Sequence, residues 1–246
     1  MIALFALQGF AWAAQPSHKL EWRLSVDGQP IGQRTLTVRY LEGEAGTNRI
    51  LESYTDIDGK VGPVTVRYRQ RLTAHVDARE PASFHSVVDN GGTKIEVQGR
   101  WTPTSWVVTT TANGRSRTSP FELTHINLSS ADLLDPYTRR PLSHYVKAQA
   151  RVLSTSSGEI ASGEVESLGV SQWSAGGQAV QVSGYAWTSP EGRSEYYYSP
   201  DGFLVRYRTQ LLGATIDAQL VGPVPDGIDD FPVGALTPAV EQVEVR

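Results

Sequence analysis

Cysteine is absent from this 246-residue chain, and methionine occurs once. The absence of cysteine excludes disulfides, thiolate metal sites, a thiol nucleophile and an acylated cysteine anchor. Core packing must then supply the stability that small exported scaffolds draw from disulfides. An excess of one charge is also lacking: 22 Lys and Arg stand against 26 Asp and Glu, a formal net charge of −4. Nucleic-acid-binding domains are strongly basic, so nucleic acid is not an expected partner. No apolar run approaches the roughly 20 residues that cross a bilayer as a helix, which argues against an integral membrane protein. Missing too are a glycine-rich phosphate loop, an HExxH motif, histidines at zinc-ligand spacing and a nucleophile elbow. Neither a metal nor a cofactor is expected.

What is present begins with an apolar run from Ile2 to Ala14, broken only by Gln8 and Gly9. The triplet Ala11-Trp12-Ala13 ahead of polar Gln15-Pro16-Ser17 has the form of a secretory signal and its cleavage site, without a basic n-region. Residues 1–13 are therefore expected to be a signal peptide, and the protein to be periplasmic or secreted. The remaining stretch of about 230 residues suits one all-β domain. Its expected bounds are 14–221, followed by a Pro/Gly-rich tail, 222–246, in which Val240, Val243 and Val245 could form a short last strand.

Alternation with period two dominates the interior of the chain. Leu20, Trp22, Leu24 and Val26 alternate with Glu21, Arg23 and Ser25, the pattern of a strand with one wet face. Asp27-Gly28, Asp58-Gly59, Asn90-Gly91-Gly92, Asn113-Gly114, Gly176-Gly177, Glu191-Gly192 and Asp201-Gly202 supply turns, because hairpin turns need residues that tolerate positive φ. Gly32 marks an expected bulge. Ten to thirteen strands follow, predicting a mainly β fold: an antiparallel up-and-down meander forming a barrel or an open half-barrel. Val66-Arg67-Tyr68-Arg69 is echoed by Val205-Arg206-Tyr207-Arg208.

The rhythm stops between Thr124 and Tyr145. Ser129 and Asp132 are spaced as a capping box, and Pro136 ends the pattern, so one short helix is expected near residues 129–135. Asp135 reads as the Asx residue of an Asp-Pro turn. His125, bracketing this segment with His144, is the candidate general acid/base, with Arg139 as the candidate anion holder. Tyr196 and Tyr198 share one strand face near Trp187, and such rings suit sugar faces or amphipathic lipids. Arg67 and Arg69, with Arg71, form a row that Arg206 and Arg208 repeat. If the two strands are neighbours, the guanidinium forks would make a stripe suited to carboxylate or phosphate.

Three blocks carry a resemblance: Ser130-Ala131-Asp132-Leu133-Leu134-Asp135-Pro136, Gly163-Glu164-Val165-Glu166-Ser167-Leu168-Gly169, and Tyr197-Tyr198-Ser199-Pro200-Asp201-Gly202-Phe203-Leu204-Val205. With the hairpin Val26 to Gly32, they resemble exported bacterial families known only as domains of unknown function. Those families are β-rich and similar in architecture to half-barrel periplasmic carriers such as the lipoprotein-localisation proteins. The resemblance runs from Leu20 to Val221. It implies a fold and a compartment, and no activity.

Three functional readings follow. The first is an envelope protein that binds a lipid, glycolipid or polysaccharide on a concave sheet face through Tyr196, Tyr198, Trp187 and the arginines. The second is a metal-independent acid/base enzyme acting on an envelope glycan or lipid through His125. The third is a scaffold that engages an envelope protein partner through its edges or tail.

Overall fold

The computed structural model of the chain describes residues 17–40, 48–76, 81–138, 140–211 and 214–225. The expected signal peptide, Arg139 and the tail beyond residue 225 lie outside these residues.

Among the described residues, the alternating pattern forms fifteen strands in one continuous open sheet. From Ser17–Val26 (β1) the chain runs outward through Gln29–Tyr40 (β2), Arg49–Val61 (β3), Val64–Val76 (β4) and Pro81–Asn90 (β5). It continues through Thr93–Trp101 (β6) and Ser105–Ala112 (β7) to Arg115–Glu122 (β8), one edge of the sheet. It then crosses to the other edge, Leu128–Ser129 (β9), and returns through Gln149–Leu153 (β10), Ile160–Ala175 (β11) and Gln178–Ser189 (β12). Gly192–Tyr198 (β13), Leu204–Leu211 (β14) and Ala214–Leu220 (β15) complete the return. β15 pairs with β1, so the two halves join at the middle of the sheet, with Leu24 opposite Ala218. Neighbours are antiparallel except β9 and β10.

The crossover dictates the curvature. Fifteen flat strands would be about 70 Å wide at ~4.8 Å per strand. Only residues 123–127 separate β8 from β9, and that link reaches about 20 Å at most. The sheet must therefore curl until its edges approach, without their pairing. The turn between β10 and β11 bridges the seam, with Thr110 Oγ1 donating to Ser157 O at 3.3 Å. Register shifts between β1 and β2, β11 and β12, and β13 and β14 supply local bends.

Curling puts one side chain of each alternating pair inside. Leu20, Trp22 and Leu24 of β1, Leu36 and Val38 of β2, Leu51 of β3, Leu72 of β4, Phe84 of β5, Val97 of β6 and Val108 of β7 form the core. Trp22 Nε1 satisfies its buried N–H on Leu204 O at 3.0 Å. The outer face is charged: Asp56 and Asp58 of β3 meet Arg69 and Arg67 of β4. A transmembrane barrel carries an apolar band on its outside; here the polarity is reversed. Among the described residues, no helix is long and apolar enough to cross a membrane.

Three details differ from the sequence pattern. Asp58-Gly59 is not a turn but lies within β3, opposite Arg67 and Val66, and the chain reverses at Gly62-Pro63 instead. The bulge residue is Ile31, because Leu24 faces Gly32 while Ser25 faces Pro30. Residues 130–134 form successive hydrogen-bonded turns in place of a regular helix, followed by 3-10 turns at Pro136–Thr138 and Pro141–Tyr145. The stretch before Pro136 spans little more than one helical turn, too short to sustain a helix without tertiary support.

Gly32 is fixed by close approach, since a Cβ there would overlap Asp56 O and lie 2.9 Å from Ile57 Cα. Gly32→Ala is expected to lower unfolding stability by about 1–3 kcal/mol in a denaturant titration. Gly222→Ala, where a Cβ meets nothing within 4 Å, should stay within about 0.5 kcal/mol of wild type. Equal effects at the two positions would contradict the strand packing described.

Candidate functional site

The segment that breaks the strand rhythm is a plug filling part of the curled sheet. It is tied down by polar contacts of its own. Ser130 N–H donates to Leu153 O at 2.9 Å, and Ser130 Oγ meets Thr155 Oγ1 at 2.8 Å. Asp132 accepts from the Ser129 N–H at 2.7 Å and the Ser129 hydroxyl at 2.9 Å, the returning half of a capping box. Burial pushes the Asp132 carboxyl above its usual range, against the lowering effect of those two bonds. Ala131, Leu133, Leu134 and Leu142 are buried in the core.

Two long-range contacts dock this plug on the sheet. Tyr198 of β13 donates its hydroxyl to Leu133 O at 3.1 Å. Arg49 of β3 grips Asp135: its Nε donates to Oδ1 at 3.1 Å and Oδ2 at 2.9 Å, and its Nη2 also bonds Oδ2. The Asp135 side chain is fully buried and that of Arg49 is 8% exposed. Asp135 does more than precede the Pro136 turn: its carboxylate is half of a buried ion pair whose partners are 86 residues apart in sequence. Nothing local in the sequence signals a partner that far away.

Between the plug and the sheet lies a chamber of two adjoining lobes, about 210 and 190 Å³. They share Ser130, Leu133, Ser154, Tyr196 and Thr209 as walls. The first lobe is lined by Arg34 of β2, Ser53 of β3, Tyr68 and Gln70 of β4, Tyr196 of β13 and Tyr207 of β14. These residues are ordered among themselves. Arg34 Nε donates to Thr55 Oγ1 at 2.8 Å, and its guanidinium lies 5.1 Å from the centre of the Tyr207 ring. The Tyr68 hydroxyl donates to Gln70 Oε1 at 3.1 Å, and Gln70 Nε2 donates to Ser86 Oγ at 3.0 Å. Tyr196 stacks on Tyr207 at 6.4 Å. Burial pushes the Tyr196 phenol up to about 12. The Tyr68 and Tyr207 phenols are also raised by burial, with Arg34 pulling the other way. All three rings therefore present neutral hydroxyls at neutral pH.

The expected site residues divide between the two faces of the sheet. Tyr196 and Tyr198 both point inward, stacked at 6.5 Å, but only Tyr196 lines the chamber; Tyr198 is 1% exposed and spends its hydroxyl on the plug. Trp187 is half-buried in the wall of the second lobe, its Nε1 donating to Ala150 O at 3.2 Å. The arginine rows face outward and do not merge, because four strands separate β4 from β14. Arg67 and Arg69 pair with Asp58 and Asp56 at 3.6 and 3.1 Å. Arg206 Nε donates to Asp217 Oδ1 at 2.6 Å while Trp173 stacks on its guanidinium, 3.8 Å from the ring centre. Arg208 lies 3.8 Å from both Glu195 and Asp217. His125 is exposed in the 3-10 turn Leu123–His125 and lines neither lobe. Arg139 lies outside the described residues.

Apart from Tyr196, the residues that line the first lobe are not signalled by motifs, although a weaker mark of them exists in the sequence. Arg34 is in phase with inward Leu36 and Val38, Arg49 with Leu51, and Gln70 with Leu72. A polar residue on the apolar phase of a strand is the informative anomaly. In the echoed Val-Arg-Tyr-Arg strands the tyrosines, Tyr68 and Tyr207, enter the chamber, while the arginines that flank them face out. A larger cleft of about 510 Å³ lies on the outer face beside Glu21, Arg23, Asp56 and Asp58. It is an open groove whose two aspartates are already paired.

One open sheet curled around an internal plug defines a barrel-like β protein with an unpaired seam. The chain belongs to the family described as a domain of unknown function, DUF6134, which matches residues 22–221. Its fold is similar to the crystal structure of a β-barrel-like protein of domain of unknown function DUF1849 from Brucella abortus. The two share a TM-score of 0.59 and 12% identity over 87% of this chain and 99% of that one; at that identity the likeness is one of fold. No curated protein matches the sequence.

Removing one partner of a buried ion pair leaves an uncompensated charge. Arg49→Met is therefore expected to cost about 3–5 kcal/mol, and the double variant Arg49→Met/Asp135→Leu to recover most of that loss. Additive losses in the double-mutant cycle would contradict direct coupling. The Asp132 carboxyl binds its proton more tightly folded than unfolded. Its contribution is fully present below the unfolded pKa and is lost as pH rises through the folded value. Asp132→Asn should accordingly gain in melting temperature relative to wild type between about pH 4 and neutrality. A difference independent of pH would contradict the buried placement of this group.

Proposed function

We propose that the protein is an exported envelope protein that binds a small saccharide or amphipathic headgroup in the chamber between plug and sheet. One observation carries the reading. The β5–β7 part of the interior is filled by Phe84, Val97, Trp106 and Val108, whereas the part facing β2–β4 and β13–β14 leaves open volume lined by tyrosines, an arginine, one amide and several hydroxyls. Polar groups held off the core are costly unless they bond, so a wall of this kind suits a hydrogen-bonding occupant. Tyrosine rings offer an apolar face with a polar handle, the chemistry that sugars and headgroups present in return. Each lobe is smaller than the roughly 300–1,000 Å³ of a drug-sized pocket, which suits a ring or headgroup rather than an acyl chain.

The first lobe favours binding over proton transfer. Among the described residues lining the first lobe there is neither histidine nor carboxylate. A phenol raised to about 12 is poorly matched to acid/base work near neutral pH. The export part of the proposal rests on the apolar run from Ile2 to Ala14 and its small-residue end.

Native mass spectrometry of the full chain, recovered from the periplasmic fraction of a bacterial host, tests both parts. A bound species is expected in wild type and should be lost in Tyr196→Trp, which fills the chamber with protein. Recovery from the cytosol alone would overturn the compartment. A species that stays empty after incubation with lipid extracts and glycans would overturn the binding.

A further inference from the structure

Arg34 is unlike Arg49, which is also in the inward phase of its strand. Arg49 is neutralised by Asp135, and on the outer face Arg67, Arg69, Arg193, Arg206 and Arg208 all have carboxylate partners. Arg34 lines the first lobe with Nε on a threonine hydroxyl and its guanidinium beside Tyr207. Among the described residues it has no ion pair, and no carboxylate lines its lobe. Among the described residues that line the chamber, the carboxylates are Glu159 and Glu191, both exposed and both in the second lobe. The chamber is thus polarised, with a fixed cation at one end and acidic groups at the other.

Resting on the reading that the chamber binds a ligand, we infer that its first lobe seats one oxyanion carried on a hydroxylated ring, the carboxylate of a sugar acid or the phosphate of a sugar phosphate. The chemistry follows from the donors present. With Nε on Thr55 and the Tyr207 hydroxyl within hydrogen-bonding reach, the guanidinium still has further N–H donors to offer a carboxylate or phosphate. The Arg34 side chain is only partly exposed to water, so its charge is less screened than on the open surface, and an oxyanion arriving there gains charge attraction beyond its hydrogen bonds. Tyr68, Gln70, Ser53 and Thr209 surround the same space with hydroxyl and amide groups for ring hydroxyls. Tyr196 and Tyr207 provide the flat apolar wall. The ring's hydroxyls would extend toward the second lobe, where Ser154, Ser157, Ser189 and Ser194 lie beside the two glutamates.

Titration calorimetry on the full chain with D-glucuronate, glucose 6-phosphate and D-glucose tests this. At least one of the two anionic sugars is expected to bind about ten- to a hundredfold more tightly than glucose; which one separates the carboxylate from the phosphate. Arg34→Met should abolish that preference, and Arg34→Lys should keep part of it, charge without the fork. Circular dichroism melts check that both variants fold. If glucose binds as well as the anions and Arg34→Met changes nothing, the oxyanion seat is wrong while the binding chamber stands. If none of the three binds and native mass spectrometry also finds the protein empty, both fall.

Discussion

The Arg49–Asp135 pair is the constraint on which the rest of the interior depends. Two charges that are buried this completely gain little net stability over well-packed apolar residues, because desolvation offsets their attraction. Their effect is positional. Arg49 sits at the start of β3 in phase with Leu51, so its side chain enters the curl. Only a carboxylate delivered from the plug can meet it there. The pair therefore fixes where the plug sits along the sheet, and the Tyr198 hydroxyl on Leu133 O fixes it from the opposite wall. With the plug pinned at two walls, Leu133 and Leu134 fill the middle of the interior and the space beside them stays open.

That arrangement follows from a topological choice. The chain starts at the centre of the sheet, builds one half outward, and then jumps to the far edge to build the other half inward. A five-residue crossover forces the sheet to curl, and the residues that follow it are placed inside the curl. The plug is thus a consequence of the crossover rather than a separate insertion. It also explains why the sheet need not close. The seam between β8 and β9 is bridged by side chains and by the β10–β11 turn, so the interior is shielded without a ladder of hydrogen bonds joining the edges.

Much of the fold was legible in the sequence because period-two alternation and Gly-containing turns are local signals. Asp27-Gly28, Asn113-Gly114 and Gly176-Gly177 all take positive φ at hairpin reversals, as their composition dictates. The inward pairing of Tyr196 with Tyr198 was legible for the same reason. Asp58-Gly59 misled because β3 runs through it, and Gly59 serves close packing against Ile31 rather than a turn. The candidate site was less visible. Arg34 and Arg49 break the polarity of their strands by one residue each, a weak local mark, and Asp135 finds its partner across 86 positions. The prominent arginine rows drew attention because they repeat, yet carboxylates on neighbouring strands neutralise them. Cross-strand pairing, which no single strand displays, balances the arginine rows, while Arg34 lines the chamber without an ion pair among the described residues.

The central claim is that the plug is a fixed wall of the molecule, locked to the sheet, and not a flap. Amide hydrogen exchange under native conditions tests it most directly, read at Ser130 and Thr155, whose N–H groups tie the plug to β10 and the turn after it, and at Leu24 and Ala218 in the central strands. The account predicts that plug and central amides exchange only through the same global opening, with a common free energy. Exchange of Ser130 and Thr155 through a cheaper local opening, while Leu24 and Ala218 stay protected, would contradict it.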